Sequence, residues 1–289
     1  MPMGSMRLDV LMRDLTRTMA TAEIDNPRLE ARLIAMTASG LGLEAMIAYP
    51  DTPIDPEACA YAYALAEARV LGAPSAYLVG RKEFWSLDFK VSSATLVPRP
   101  DSETLVSAAL EFAEGRDWTG RVLDLGTGSG CLLLAFLSER RLARGLGIDA
   151  SAEALEIAAA NAASLGLAPR ASFVCASWTS ALRGSFNLVF ANPPYIRAGD
   201  IDGLGLEVRD FEPIEALDGG PDGLMCYRAI LADLPRVMAP GARVFFEVGQ
   251  GQAADVAALC AKAGLAPIRL YRDLSGIERC VVAEKNRLD

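Results

Sequence analysis

The sequence contains no histidine, and this absence removes whole classes of enzyme chemistry. Without an imidazole there is no Ser-His-Asp triad and no Cys-His pair, and most zinc sites are excluded. The six cysteines are widely scattered, without a Cys-x-x-Cys pair or metal-ligand spacing, so we expect them to be small buried apolar side chains. Any reaction of this chain must therefore proceed without imidazole, and we expect no metal site.

The chain also lacks a cluster of basic residues and a long apolar run, and these two absences bear on the partners and the location of the protein. The formal net charge is −9 and the sequence pI is about 4.8, without a clustered Lys/Arg tract. Binding to a phosphate backbone needs such a cluster, so we expect a protein or small-molecule partner and no direct contact with nucleic acid. No apolar run reaches the roughly 18 residues of a membrane span, and the first residues do not resemble a signal peptide. We expect a cytoplasmic protein without membrane contact, monomeric by default. Residues 1–5 resemble a cloning remnant.

Composition changes along the chain indicate two domains. The 289 residues, 52% of them hydrophobic, suffice for a large domain and a small one. Residues 6–74 carry apolar positions at helical spacing and predict a small domain of four or five helices, which fits a packing or lid domain as well as a partner-binding one. Residues 75–98 hold short aromatic and β-branched runs, among them Tyr77-Leu78-Val79, and predict a β-hairpin linker to residues 99–289.

Strands and helices alternate from residue 121 onward, which favours an α/β fold with a parallel sheet and helices on both faces. The strand Arg121–Leu125 runs into Gly126-Thr127-Gly128-Ser129-Gly130 and then into a helix from Cys131. A dinucleotide fingerprint needs glycine where Cys131 stands, and the Gly-Lys-Ser/Thr of a phosphate loop is missing. Asp149 ends the next strand, where a carboxylate can accept from both hydroxyls of a ribose. The loop therefore predicts a cofactor other than a dinucleotide.

Later segments extend the same pattern. A strand over Ala171–Cys175 ends at Ser177-Trp178, where the Trp178 ring or the adjacent backbone could flank an adenine. We predict a helix from Ser151, as N-cap, to Gly166. The remaining predicted elements are a helix over Cys226–Met238, a strand over Ala242–Gly249, a helix over Gln252–Gly264 and a hairpin near residues 268–271 and 279–283.

The stretch Asn192-Pro193-Pro194-Tyr195 follows a predicted buried strand that begins at Phe186. Two consecutive prolines fix φ at roughly −65° and remove two backbone donors, so the turn is stiff and rich in acceptors. The Asn192 side-chain oxygen and the Pro193 carbonyl could accept both hydrogens of a planar –NH2 group, with the Tyr195 ring nearby to cover it. An ordinary double-proline loop would have the same sequence pattern, but the glycine loop upstream favours the interpretation that this turn holds a planar –NH2 group.

Two other segments leave alternatives open. Asp101 fits the N-cap of a helix running to about Glu114, whereas a functional interpretation has Arg99 and Glu103 facing the cleft. Residues 196–227 are rich in acids and glycines and show little periodicity. Loops this long inside a compact domain are usually functional, although a solvated cover would look the same.

Several motifs together resemble a known family. The loop Asp124–Gly130, the acid at the next strand end and Asn-Pro-Pro-Tyr are similar to the S-adenosylmethionine-dependent methyltransferases that act on exocyclic or amide nitrogen. Leu-Val-Pro-Arg-Pro-Asp-Ser-Glu before the core, Asn-Pro-Pro-Tyr-Ile in it, and Glu-Val-Arg-Asp-Phe-Glu-Pro, Ala-Leu-Asp-Gly-Gly-Pro-Asp-Gly-Leu and Asp-Leu-Ser-Gly-Ile-Glu-Arg after it resemble the peptide-chain release-factor glutamine N5-methyltransferases, the PrmC or HemK family. The resemblance covers most of residues 6–285, and the joint order of these motifs is highly specific.

The resemblance implies a class I S-adenosylmethionine-dependent methyltransferase, Rossmann-like, with a mostly parallel seven-stranded sheet and a small N-terminal helical domain. It implies methylation of the glutamine amide in the Gly-Gly-Gln tripeptide of class I release factors, with S-adenosylmethionine as cofactor and the N-terminal domain as a docking site. The implied catalytic residues are Asn192, Pro193 and Tyr195. The implied substrate-binding residues are the same three with Pro194, Arg99 and Glu103. The implied cofactor-binding residues are Gly126, Thr127, Gly128, Gly130, Asp149, Ser177, Trp178 and Asn192.

One position departs from the family pattern. Many relatives carry an aspartate just before the aromatic residue at the third strand end, where this chain has Ser177. The resemblance therefore supports the glycine loop more firmly than the adenine contacts.

A mechanism by orientation suits a chain without histidine. An amide nitrogen is a poor nucleophile because its lone pair is delocalised, so we expect two fixed acceptors to aim it at the sulfonium methyl. The main alternative is a DNA adenine or rRNA guanine N-methyltransferase, which uses the same turn on a flipped base, but the acidic balance counts against it. A non-catalytic cofactor-binding protein is the alternative from another class, and the intact turn counts against that.

Overall fold

The computed structural model describes residues 5–287, and residues 1–4 of the suspected cloning remnant lie outside the described residues. The chain divides into two compact units. The first comprises the residues up to Gly80 together with Gly205–Phe211, and the second comprises Arg81–Leu204 and the chain from Glu212 onward. Among residues 5–287, no helix is long and apolar enough to cross a membrane.

Up to Gly80, the described part of the first unit is a group of five helices with one pair of very short strands, and a sixth helix over Leu206–Arg209 joins the unit from later in the chain. Its core side chains recur at helical spacing, as Leu8, Leu11, Leu15 and Met19 do on one face of the first helix. The prediction of an extended Tyr77-Leu78-Val79 was wrong, because the Pro74 carbonyl accepts from the N–H groups of Tyr77 and Leu78 and so starts a helical turn. The elements of this unit up to Gly80 are β1 (Met6–Arg7), α1 (Leu8–Thr21), α2 (Pro27–Ser39), α3 (Leu43–Ala48), β2 (Pro53–Ile54), α4 (Pro56–Val70) and α5 (Ser75–Val79).

The second unit is built on a seven-stranded sheet. Its strands are β5 (Arg121–Leu125), β6 (Arg144–Asp149), β7 (Ala171–Cys175), β8 (Phe186–Ala191), β9 (Met238–Glu247), β10 (Leu265–Arg272) and β11 (Glu278–Lys285), and a separate hairpin holds β3 (Arg81–Phe84) and β4 (Leu87–Lys90). The spatial order is β10-β11-β9-β8-β5-β6-β7. Only β11 runs against its neighbours, because it pairs antiparallel with both β9 and β10 while the other pairs are parallel.

Helices follow the strands and cover both faces of this sheet. The helices after α5 in the chain are α6 (Glu103–Phe112), α7 (Cys131–Glu139), α8 (Ala152–Ser164), α9 (Leu206–Arg209, in the first unit), α10 (Met225–Leu231), α11 (Leu234–Val237) and α12 (Ala253–Lys262). The central strands are buried on both faces, so adjacent residues alternate between two hydrophobic clusters, with Leu123 and Val189 in one and Val122 and Leu188 in the other.

The hairpin β3–β4 belongs to the second unit. Its turn residues Trp85 and Ser86 have φ of +54° and +56°, which suits a two-residue hairpin turn. The side chains of Phe84 and Phe89 are buried in the same hydrophobic cluster as Val122 and Leu188. The Asn161 side chain of α8 bonds both the N–H and the carbonyl of Lys90, so the hairpin is fastened to the helix layer.

Two predicted helix boundaries were wrong. The helix expected over 226–238 is broken into α10 and α11, because Pro235 has no N–H to donate and its ring clashes with a preceding helical carbonyl. Asp101 is not an N-cap, since Pro100 starts a 3₁₀ turn that leaves Ser102 at the cap position of α6. The Asp101 carboxylate instead lies 3.1 Å from Arg279 Nη2.

Part of the long segment after β8 is built into the first unit. Arg69, which is buried, pairs through Nη2 with Glu207 Oε1 at 2.6 Å and through Nε with Glu30 Oε2 at 3.2 Å. A Cβ placed on Gly72 would meet Phe211 and Leu206 at 3.4 and 3.5 Å. Residues 205–211 therefore contact that unit, while Gly205, Leu206, Arg209 and Asp210 remain exposed to solvent.

Candidate active site

The sheet topology brings the glycine loop and the double-proline turn to one point. The chain passes outward from β5 to β6 and β7, then returns to β8 on the other side of β5. At such a switch point the carboxyl ends of two neighbouring strands open a crevice. Leu125 pairs with Ala191, so the next residues, Gly126 and Asn192, are neighbours, and a Cβ on Gly126 would lie 4.0 Å from the Asn192 carbonyl oxygen.

The glycine loop is fastened to the end of β6. The N–H groups of Gly126 and Thr127 both donate to the Ile148 carbonyl, at 2.8 and 2.9 Å. Gly128 N donates to Asp149 Oδ2 at 2.8 Å, and Ser151 N donates to Asp149 Oδ1 at 2.9 Å. A carboxylate has about four lone-pair sites, so Asp149 can hold the loop and still accept from two ligand hydroxyls.

Positive backbone torsions explain the glycines of the loop. Gly126 and Gly128 have φ of +71° and +53°, the left-handed region in which a Cβ is strained. Gly130 also has positive φ, but it lies outside the cavity lining at the N-cap of α7, and a Cβ there would press on Leu134 and Ala158 at 3.1 and 3.3 Å. Gly130 thus lets α7 and α8 approach closely.

Trp178 closes one side of the loop. Its φ of +47° is unusual for a residue with a bulky side chain. Its ring atom Cζ3 would lie 3.6 Å from a Cβ on Gly126, so the indole stands beside the loop. Ser177 and Trp178 both line the cavity at the end of β7.

A cavity of about 770 Å³ joins these elements, a size typical of small-molecule sites. It brings together most of the predicted site residues, namely Arg99, Gly126, Thr127, Gly128, Asp149, Ser177, Trp178, Asn192 and Pro194. Pro193, Tyr195, Gly130 and Glu103 lie outside its lining. Lining residues that sequence reasoning missed include Ser93, Ala94, Ser102, Pro213, Glu215 and Ala216. Ser93, Ala94 and Pro213 lie in loops and Ser102, Glu215 and Ala216 in short 3₁₀ turns, and the signal that the sequence offered was their nearness to Arg99 and to the Glu-Pro motif.

The alternatives left open for Arg99 and Glu103 have different outcomes. Arg99 lines the cavity, and its Nη2 lies 2.7 Å from Oε1 of Glu212, a fully buried carboxylate. Glu103 Oε1 instead accepts from the backbone N–H of Trp85 at 2.8 Å. Glu103 therefore fastens the hairpin turn to α6, and the structure does not bring it to the cavity.

Tyr195 stands behind the cavity wall and is held on several sides. Its hydroxyl lies 3.4 Å from Glu247 Oε1, and its carbonyl accepts from Gln252 Nε2 at 3.0 Å. The next residue, Ile196, donates to the Leu217 carbonyl at 3.0 Å and accepts from Gly219 N at 2.7 Å. The Ala-Leu-Asp-Gly-Gly motif thus fixes the backbone that follows the double-proline turn.

Burial shifts the pKa values of three groups around the site. It raises the pKa of Asp124 to about 7, against the hydrogen bond from the Thr127 hydroxyl. It raises the pKa of Glu247 to about 7 as well, against the Ser102 hydroxyl, Arg279 and Tyr195. The pKa of the Tyr195 phenol is also raised, first by burial and then by the neighbouring Glu247.

Comparison with known proteins places the chain in a family. Residues 102–204 match the profile described as Methyltransferase small domain, and residues 11–80 match the PrmC N-terminal domain. The release factor glutamine methyltransferase of Rhodospirillum rubrum is 45% identical over 264 residues, which are 91% of this chain and 81% of that protein. This chain belongs to the release factor glutamine methyltransferase family. The family member from Bradyrhizobium diazoefficiens is 42% identical over 98% of this chain and 97% of its own length.

The solved structures agree on the fold. A methyltransferase from Pyrococcus furiosus is 16% identical and superposes with a TM-score of 0.52 over 71% of this chain and 92% of that chain. The predicted class I methyltransferase fold, with a mostly parallel seven-stranded sheet, is confirmed.

The methyl donor of this family is S-adenosylmethionine. The cavity fits such a group on its own features. Asp149 offers free lone pairs at the strand end, Gly128 faces open space where a side chain would stand, and the buried Ser129 Oγ in the lining has no hydrogen-bond partner within residues 5–287. Gly126, Thr127, Gly128 and Asp149 would hold the cofactor, with Trp178 beside them.

Proposed function

We propose that this enzyme transfers a methyl group from S-adenosylmethionine to the side-chain amide nitrogen of the glutamine in the Gly-Gly-Gln tripeptide of class I peptide chain release factors. Relatives named for release factor glutamine methylation, 45% and 42% identical over 91% and 98% of the chain, support it. The observation that carries the proposal is the adjacency of Asn192, after β8, to Gly126, after β5, in the wall of one cavity.

The chain's own residues act by orientation. The cofactor, when bound, would supply an electrophilic methyl on a sulfonium, so that an N–C bond forms as the S–C bond breaks, S-adenosylhomocysteine leaves as the thioether, and the amide nitrogen releases one proton to solvent. The Asn192 side-chain oxygen and the Pro193 carbonyl accept the two hydrogens of the amide, and the rigid φ of both prolines holds these acceptors in place. Such positioning contributes roughly 7–11 kcal/mol to lowering a barrier, which removes the need for a strong base. Pro193 is buried and lies outside the cavity lining, so the part proposed for its carbonyl rests on the family motif and not on the cavity.

The first unit is the proposed docking element for the release factor. Its residues 11–80 match the PrmC N-terminal domain, and it exposes large apolar side chains, among them Ile47 at 71% and Tyr49 at 65%. Residues 6–74 thus bind the protein substrate, while residues 99–289 carry the reaction. We place the reaction in the cytoplasm, where release factors meet ribosomes, and propose a monomer that acts on protein and not on nucleic acid, consistent with the net charge of −9.

Mass spectrometry of a purified class I release factor, incubated with the enzyme and S-adenosylmethionine, tests the proposal. We expect a 14-Da increment on the peptide that contains the Gly-Gly-Gln glutamine, an increment equal to one CH2 group. Asn192→Ala should abolish it while leaving cofactor affinity within about threefold, a change of under 1 kcal/mol. An unmodified release factor despite cofactor binding would shift the substrate to a nucleic-acid base, and a base-methylation assay would then give signal instead.

A further inference from the structure

A short segment after β9 surrounds Tyr195 of the double-proline turn. Glu247 ends the strand and accepts from the Tyr195 hydroxyl at 3.4 Å. A Cβ on Gly249 would lie 3.1 Å from Tyr195 Cδ2, and Gln252 Nε2 donates to the Tyr195 carbonyl at 3.0 Å. The hydroxyl, the ring edge and the backbone of one tyrosine are thus each contacted by residues 247–252.

The packing of the fold does not explain why a carboxylate, that of Glu247, is buried in this segment. It is 2% exposed, and within residues 5–287 its Oε2 makes no hydrogen bond. A buried carboxylate that is only partly satisfied destabilises a protein relative to an apolar side chain of similar volume. Its position is level with Asn192, because Phe246 pairs with Ala191 in the sheet. The carboxylate therefore lies directly behind the turn that forms the cavity wall.

We propose that Glu247 is a positioning residue for methyl transfer, whose ionised carboxylate fixes the Tyr195 ring and the Ser102 hydroxyl and thereby holds the Asn-Pro-Pro-Tyr turn in its acceptor geometry. The proposal rests on the proposed function, in which that turn orients the substrate amide. Ser102 is buried and lines the cavity, and its hydroxyl faces Glu247. The carboxylate thus connects Ser102 in the cavity wall with Tyr195 behind that wall, two residues from distant stretches of the chain.

The protonation state decides how many hydroxyl groups Glu247 can hold. An ionised carboxylate only accepts, so it can take hydrogens from both Tyr195 and Ser102, whereas a protonated one must donate one hydrogen of its own. Burial raises its pKa to about 7, so acidification below neutral pH converts it to the donor form. The other charged or titratable groups that face it are Arg279 and Cys280 on β11, Asp101 before α6, Cys131 on α7 and Tyr227 on α10.

Kinetics of three variants test the proposal. We expect Glu247→Gln to lower kcat by about 10- to 100-fold, or roughly 1.4–2.7 kcal/mol, while the cofactor Kd changes less than threefold. Tyr195→Phe should lower kcat similarly, and the double variant should be no worse than the poorer single variant, because the two residues act as one unit. The acid limb of the wild-type kcat profile, near pH 7, should vanish in Glu247→Gln.

Glu284→Gln is the matched control. Glu284 is also a carboxylate on this sheet, paired with Arg243 at 2.7 Å. It lies four residues along β11 from Cys280, the partner of Glu247 in the register, which is roughly 13 Å away. Additive losses from Glu247→Gln and Tyr195→Phe, or equal kcat values for Glu247→Gln and Glu284→Gln, would overturn the proposal.

A second measurement separates this proposal from the function on which it rests. 3-Fluorotyrosine placed at position 195 reports the ring environment by 19F NMR without any substrate. We expect its shift to titrate with a midpoint near 7 in the wild-type background and to stay flat in Glu247→Gln. A flat wild-type titration sinks the positioning role even if the release factor is methylated. A titrating shift in an enzyme that leaves the release factor unmodified retains the contact and overturns the substrate assignment.

Discussion

Arg99 and Glu212 form an ion pair across the cavity wall, with Arg99 Nη2 2.7 Å from Glu212 Oε1 although the residues are 113 positions apart in the chain. The Glu212 side chain is 1% exposed, whereas that of Arg99 is 37% exposed. The guanidinium thus reaches from the solvent side to a carboxylate inside the protein. This pair ties the segment before α6 to the segment that follows the double-proline turn.

Arg99→Ala should destabilise the second unit by about 1–3 kcal/mol, because it removes a charged hydrogen-bond partner from a buried carboxylate. Urea unfolding monitored by circular dichroism measures the change. Arg228→Ala serves as the control, since Arg228, in the same unit, pairs with Asp222 on the surface with both side chains more than a third exposed. Equal destabilisation by the two substitutions would contradict the structural role of Arg99.

Asp124→Asn should make the free energy of unfolding less sensitive to a rise in pH from 5 to 8. Burial raises the native pKa of Asp124 from 3.8 to about 7, so between these values the folded state holds a proton that the unfolded state has released. The resulting stability is fully present below about 3.8 and is lost as pH rises through about 7. Between pH 5 and 8 the wild type should lose about 3 kcal/mol that the variant retains.

Unfolding free energies at the two pH values measure this difference. Asp117→Asn offers a contrast, because its exposed carboxylate pairs with Arg141 and has a lowered pKa. Its contribution is present at neutral pH and is lost as pH falls. A pH-independent difference between wild type and Asp124→Asn would show that Asp124 is ionised throughout.

Gly147→Ala should weaken both the fold and cofactor binding. A Cβ at this position in β6 would lie 2.7 Å from Phe173 Cδ1 and 2.8 Å from Thr127 Oγ1, so the side chains of Phe173 and of Thr127 in the glycine loop must give way. Overpacking of this kind costs about 1–3 kcal/mol. Thermal unfolding and calorimetric titration with S-adenosylmethionine report the two effects. Gly199→Ala, where the added Cβ would meet open space, should change neither.

Trp178→Ala should weaken binding of S-adenosylmethionine by about 5- to 50-fold, because the indole stands beside the glycine loop in the cavity lining, where we propose that it flanks the adenine. Trp178→Phe should recover part of the loss. Equilibrium dialysis with labelled cofactor measures the affinity. The control is Trp85→Phe, since Trp85 lies in the hairpin turn and bonds Glu139 through Nε1. Unchanged affinity in Trp178→Ala would place the adenine elsewhere in the cavity.

Sequence patterns predicted the elements that frame the site, within a few residues. The strands β5, β7 and β8 were expected where they occur, because a buried run of β-branched and apolar residues between turn residues is a local signal. Ser151 was expected as the N-cap of α8, and its Oγ accepts from Ala154 N at 3.1 Å. Asn192 was expected at the end of a buried strand for the same local reason.

Errors arose where a distant partner overrode a local preference. Aspartate is a common N-cap residue, but the Asp101 carboxylate forms an ion pair with Arg279, which lies near the other end of the chain. Glu103 was expected to face the cleft, but the hairpin brings the backbone N–H of Trp85 to its carboxylate, which accepts a hydrogen bond from it. Glu247 lies inside the strand predicted over Ala242–Gly249, and a carboxylate within that apolar run was the one signal that could have drawn attention to it; the structure ends β9 at Glu247, beside β8.

The sequence by itself determined the positive φ torsions of the glycine loop, the stiffness of the double-proline turn and the resemblance to the release factor glutamine methyltransferase family. These depend on φ preferences and residue order, which act within a few positions. Only the tertiary structure decided which groups stand behind the turn. Tyr195 meets Glu247 across 52 positions and Arg99 meets Glu212 across 113, because the strand order of the sheet brings them together. Strand order is set by packing of the whole chain, and no local pattern encodes it.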